Sequence, residues 1–179
     1  MSKRIRLWLI AALALCAAAA VGVTLSFMFK KAEKTNTFVP AEVTCKVEES
    51  LFSGVKSKVC VKNTGNAAAY LRIRLVSYYV YNDNSIAGRV PSQYPALTLQ
   101  NGWIAGADHT YYYPTPVAPD AKTEILCDPI TLDTVELADG TPVYQVLEVF
   151  AEAIQAEPVR AVQEAWNVTV SGTEITAVP

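Results

Sequence analysis

The chain predicts an all-β fold: an antiparallel jelly-roll or immunoglobulin-like β-sandwich with one short C-terminal helix, preceded by an N-terminal apolar helix. Three observations carry this. Residues Leu7 to Phe29 form an unbroken run of 23 uncharged residues, long enough to be a helix apart from the rest. The remainder divides into short runs with apolar residues at every second position, punctuated by Asn, Gly and Pro. Helical spacing occurs only once in that remainder, after Pro158. The boundaries that follow are 1–29 for the apolar segment, 30–40 for a stalk and 41–179 for the sandwich.

Lys3, Arg4 and Arg6 precede the apolar run, and Lys30 and Lys31 close it. At about 1.5 Å per residue the run reaches about 34 Å, against a hydrocarbon core of about 30 Å. Two readings compete. The whole run is an uncleaved signal anchor, or Leu7–Leu15 is the apolar core of a signal peptide and Ala17–Ala20 supplies small residues for a signal peptidase. Length, and the bulky Leu25, Phe27, Met28 and Phe29 beyond the alanines, favour the anchor. The charges before the run favour a cytoplasmic N-terminus and an outside domain, an asymmetry that Lys30, Lys31 and Lys34 on the far side make small. The expected location is therefore the cell membrane, single-pass, or the exterior after cleavage.

Residues 30–40 lack periodicity and read as the stalk. Glu42–Glu49 alternates as a first strand, Gly54 marks a turn, and Lys56–Lys62 alternates again. Asn63-Thr64-Gly65-Asn66 is a turn by composition, because Asn and Gly tolerate the left-handed conformations of tight connections. Tyr70–Tyr81 is a long strand with Leu71, Ile73 and Leu75 on one face and Tyr70, Arg72, Arg74 and Val76 on the other. Shorter strands are expected at Ala96–Leu99, Thr110–Tyr113, Lys122–Cys127 and Ile130–Val135. Val143–Gln155 is the longest, with Leu147, Val149, Ala151 and Ala153 on one face. Its other face mixes Val146, Phe150 and Ile154 with Glu148 and Glu152. Pro158 opens the helix, in which Val159, Val162, Ala165 and Trp166 share a face. Val168–Val170 and Glu174–Val178 end the chain as strands.

An exported domain tolerates disulfides, so the three cysteines outside the apolar run need a pairing. Cys45 shares the apolar face of its strand with Val43 and Val47, whereas Cys60 points outward with Lys58 and Lys62. The expectation is a Cys45–Cys127 bridge with Cys60 free; the alternative is three reduced thiols.

Several stretches together resemble a known family. The apolar segment is followed by Thr37-Phe38, then by Val59-Cys60-Val61-Lys62-Asn63-Thr64-Gly65-Asn66 and Ala69-Tyr70-Leu71-Arg72. Tyr111-Tyr112-Tyr113, Pro116-Val117-Ala118-Pro119 and a tail running from Glu152-Ala153-Ile154-Gln155-Ala156 to Glu164-Ala165-Trp166 complete the set. The chain is similar in these to the TasA/camelysin-type exported proteins of Gram-positive bacteria, which depend on a SipW-like signal peptidase. The resemblance implies a jelly-roll sandwich and assembly into extracellular matrix (biofilm) fibres by strand exchange. Lys30-Lys31 departs from the family's pattern.

Chemistry is sparse. Camelysin-type proteins are metalloproteases by name, yet His109 is the only histidine and no His-Glu-x-x-His motif exists. Neither a Gly-x-Ser-x-Gly elbow nor a Gly-rich phosphate loop occurs. Glu148 and Glu152 share a strand face about 13 Å apart, too far for a glycosidase pair. A net charge of −2 gives no basis for a nucleic-acid partner. The expectation is a non-catalytic surface or matrix protein without cofactor or metal, partnered by the membrane, by signal peptidase if cleaved, and by its own copies. Thr35–Val47 is the segment to donate in strand exchange, being terminal and alternating. The second reading is an adhesin or glycan-binding module using Tyr78, Tyr79, Tyr81, Tyr111, Tyr112 and Tyr113. A camelysin-like protease is the third. Residues 30–74 carry nine Lys/Arg against four Asp/Glu, and residues 75–179 three against thirteen. These patches either meet head to tail between copies or neutralise each other within one sandwich.

Overall fold

The computed structural model describes residues 40–100 and 102–179. The apolar run, the expected N-terminal helix and almost all of the stalk lie outside them. Residues Ala41–Pro179 form one compact unit of antiparallel sheets with one helix.

The first hairpin pairs β1 (Cys45–Phe52) with β2 (Val55–Asn63). Its tip turns through Ser53 and Gly54, at φ 50° and 74°, the left-handed region that glycine enters without Cβ strain. β1 begins later than Glu42 because Glu42–Thr44 are held elsewhere. Asn66 and Thr64 donate their amides to Glu42 O and Thr44 O, and Glu42 N donates to Asn66 Oδ1. Gly65 makes this clasp possible, since a Cβ there would lie 2.2 Å from Glu42 O. The fully buried Asn63 locks the turn, donating through Nδ2 to Ala67 O and Val117 O.

β3 (Ala69–Val80) pairs along its whole length with β8 (Pro142–Gln155). The pair is the spine of a five-stranded sheet in the order β4-β5-β3-β8-β7. β4 is Ile104–Ala105, a strand with no counterpart in the sequence reading; β5 is Thr110–Tyr112 and β7 Thr134–Glu136. β6 (Ile130–Thr131) joins the other sheet, in the order β1-β2-β6. The expected strand Ile130–Val135 is thus divided between two sheets, with Asp133 accepting the Gln145 amide just before β7 begins.

Two other expected strands do not form. Ala96–Leu99 contributes only the isolated Leu99–Cys127 bridge. Lys122–Cys127 does run beside β2, with Thr123 N and Leu126 N donating to Val61 O and Val59 O. However, Val61 N is taken by the Thr123 hydroxyl instead of a backbone carbonyl, and the ladder breaks there.

The inner faces of the two sheets share one core. Val59 and Val61 from β2 and Ile130 from β6 meet Leu71, Ile73 and Leu75 from β3 and Leu147 from β8. Pro158 precedes α1 (Val159–Trp166), which the left-handed Asn167 ends at φ 52°. The β9 (Thr169–Ser171)–β10 (Glu174–Ala177) hairpin follows. Val162, Trp166, Val168 and Ile175 then close over Tyr70 and Tyr112 on the outer face of the large sheet. This cover reaches one end of that face only.

Candidate functional site

One edge of the large sheet is left open along the second half of β8 among the described residues. β7 pairs with only the first three residues of β8, Pro142 to Tyr144. Gln145 continues outward by donating its amide to Asp133 O. Because backbone direction alternates along a strand, Leu147, Val149, Ala151 and Ala153 present their N–H and C=O groups to the same free edge. No strand pairs with them there among the described residues. Their side chains alternate into the core face: Leu147 is buried, and Val149, Ala151 and Ala153 are half-buried against it.

Across from this edge stands β1, itself the outer strand of the small sheet. Between them lies a groove of about 470 Å³, lined by Glu49, Leu51, Lys56 and Leu132 and by the continuous run Gln145–Phe150. A run of consecutive residues lines a groove when the strand's backbone edge, and not one face, looks into it. Lys56 is buried and ion-paired with Glu49, and Leu51 at the rim is 61% exposed. The groove is mostly apolar, with Glu49, Lys56, Gln145 and Glu148 also in its lining, and polar backbone runs along one wall, the surface that an added strand fills.

The six tyrosines singled out from the sequence do not converge. Tyr79 and Tyr111 point to the inner face, where Tyr79 is buried with its hydroxyl at 3.5 Å from Asp133 and Tyr111 packs against the main core. Tyr112 is buried on the outer face, edge-on to Trp166 at 5.8 Å. Tyr113 stands edge-on to Trp103, and Tyr81 packs beside Tyr79. Tyr78 lies half-buried on the outer face and donates to Glu148 Oε1, which pushes its phenol above the ordinary range. A single exposed tyrosine strip is therefore not built. The exposed large apolar side chains include Leu51, Phe52, Tyr144 and Phe150, which sequence reasoning did not select. The signal for Phe150 was present in the mixed outer face of its strand.

Cys45, Cys60 and Cys127 are free thiols in this structure, so the Cys45–Cys127 bridge expected from the sequence is not made. Both residues border the same core, but Cys45 lies opposite Asn63 in β1 and Cys127 opposite Leu99. Burial raises all three thiols above their ordinary range. Glu152 adds to the effect at Cys45 and Glu48 at Cys60. Cys127 is pushed furthest, to about 11.

His109 is exposed and stacks on the Tyr94 ring, with centroids 3.4 Å apart. Among the described residues no three His, Cys, Asp or Glu side chains gather as a metal site. No helix among them is long and apolar enough to cross a membrane. A second cleft of about 270 Å³ opens beside Tyr94, lined by Tyr79, Gln93, Asp133 and Gln145 among others. Gln145 is buried there and donates to Ser77 Oγ and Gln93 O. No family model matches this chain, and comparison with curated proteins and with solved structures finds no match either.

Proposed function

We propose that this chain is a non-catalytic structural protein of the cell surface or extracellular matrix, a jelly-roll-like sandwich whose copies assemble by strand addition. The observation that carries the reading is the unpaired edge of β8, which looks into an apolar groove. Long flat edges invite pairing with another chain unless they are blunted. From Leu147 to Ala153 this edge has no Pro, and Leu147, Val149, Ala151 and Ala153 are apolar and small to medium in size.

The in-chain contacts narrow the donor. Of Thr35–Val47, the part Cys45–Val47 already pairs with Val61–Asn63, and Glu42–Thr44 are clasped to the Asn63–Asn66 turn. Donation of Glu42–Val47 would therefore first have to break these contacts. The test is Val149→Pro in the full chain. The Val149 amide faces the open edge, so proline removes no bond to β3 and blocks an incoming strand. Polymers seen by electron microscopy with the unchanged protein should vanish, while circular dichroism keeps the β signal. Polymers unaltered by Val149→Pro, or an unchanged protein that never polymerises, overturn the reading.

A glycan-binding module is the second reading, favoured by the cleft beside Tyr94 more than by the tyrosines chosen from the sequence. It mixes an aromatic wall with the amides and carboxylate that sugar hydroxyls need.

A further inference from the structure

The outer face of the five-stranded sheet is covered at one end only. α1 and the β9–β10 hairpin close over Tyr70, Tyr112 and Ile154, and among the described residues no further layer covers the middle of the face. Four residues there form a block by cross-strand register: Arg74 opposite Phe150, then Val76 opposite Glu148. Tyr78 and Val146 continue the face in the next pair. Phe150 is 45% exposed, and Val76, Tyr78 and Val146 are half-buried. Arg74 is exposed and makes no ion pair among the described residues. Glu148, also exposed, accepts the Tyr78 hydroxyl and makes no ion pair among the described residues.

The block is self-complementary. Its two charges occupy one diagonal and its two apolar residues, Val76 and Phe150, the other. A two-fold axis laid along the apolar diagonal brings Arg74 of one copy to within about 3 Å of the position facing Glu148 of the next, and the reverse. Strands lie about 4.8 Å apart and repeat every ~6.8 Å on one face, so the two sheets cross at about 70°, close to the orthogonal class. Axes along or across the strands set each charge on an apolar residue instead. Isologous contact of this kind pairs residue i with j and j with i, and a face of one Arg and one Glu around apolar side chains meets that condition.

We infer that this face is the contact between two copies of the chain, packed sheet on sheet with reciprocal Arg74–Glu148 ion pairs around Phe150 and Val76. It shares Val146, Glu148 and Phe150 with the rim of the groove, but it uses the outer side-chain face and not the β8 backbone edge, and it does not depend on strand addition. The partner is a second copy because the charge pattern complements itself.

Charge reversal tests it. The full chain in mild detergent, and its Arg74→Glu, Glu148→Arg and doubly reversed variants, are compared by sedimentation equilibrium, with circular dichroism as the check on folding. Each single reversal sets like charges against each other and should weaken the dimer roughly tenfold or more. The double variant restores the complementary pattern and should return the dimer to within about threefold of the unchanged protein. Raised salt should weaken the unchanged dimer as well. A dimer indifferent to the single reversals, a double variant no better than the singles, or an unchanged chain that stays monomeric overturns the inference. Val149→Pro, which blocks the edge, should leave this dimer intact, so failure of the edge reading and failure of this one are separately visible.

Discussion

Cys127 shows how one residue's setting becomes a property of the whole chain. It is 4% exposed, in the main core beside Leu126 and opposite Leu99. Burial favours the neutral thiol, and the nearby Asp128 adds to the effect, moving it from 9.0 to about 11. The folded state holds this proton more tightly than the unfolded chain, so the stabilisation is complete below about pH 9 and is lost as pH rises through about 11. Cys127→Ala removes the titrating group. The stability gap between the unchanged protein and this variant should therefore narrow between about pH 8 and pH 11, measured as urea midpoints at each pH. A gap that does not change with pH contradicts the assignment. Alkylation should also reach the half-buried Cys60 well before Cys127.

At the scale of elements, periodicity located the long strands because each turns one apolar face to the core. Leu71, Ile73 and Leu75 alternate into the core as their spacing requires. The short strands were less legible. Ile130–Val135 reads as one extended run, but nothing local reveals that Thr131 and Thr134 belong to different sheets. Ile104–Ala105 is two residues long and has no periodicity to detect. α1 was visible from its spacing and from Pro158, and its role is to cap one end of the large sheet. Trp166 anchors it, packing on Tyr112 and under the Arg72 guanidinium, which stands 4.7 Å from its ring. Arg72 is held in turn by Glu152. Trp166→Ala should cost about 3 kcal/mol and loosen the cap first. Amide exchange should then rise in β9 and β10 while β1 and β2 stay protected. A uniform rise in every strand would mean that the cap is not a separable unit.

For the whole molecule, the uneven charge of the sequence is partly neutralised within the sandwich. Lys62 pairs with Asp120 and Arg72 with Glu152, each joining the basic first half to the acidic remainder. Lys122 and Glu48 pair across the same divide in the opposite sense. The pairs are largely at the surface and each is worth little, but they account for part of the asymmetry without a second copy. The expectation for where the protein resides rests on residues 1–29. Native protein from its own cells, weighed intact and traced by fraction, separates the outcomes. The anchor reading expects full-length mass in the membrane fraction. A species beginning near Val21 or beyond Phe29, in the medium or matrix, replaces that reading with cleavage and release.

The sequence by itself determined the β class, the hairpin turns, the two long strands with their inward faces, and the C-terminal helix. Each of these depends on spacing and turn chemistry within a few neighbouring residues. Tertiary structure decided what lies between distant segments. It set the open edge of β8, left uncovered because β7 is three residues long and β1 belongs to the other sheet. It likewise set Arg74 diagonal to Glu148 through a register joining residues 74 apart in the chain. Alternation assigns a residue to a face; only pairing with a remote strand decides which neighbours share that face and whether anything covers it.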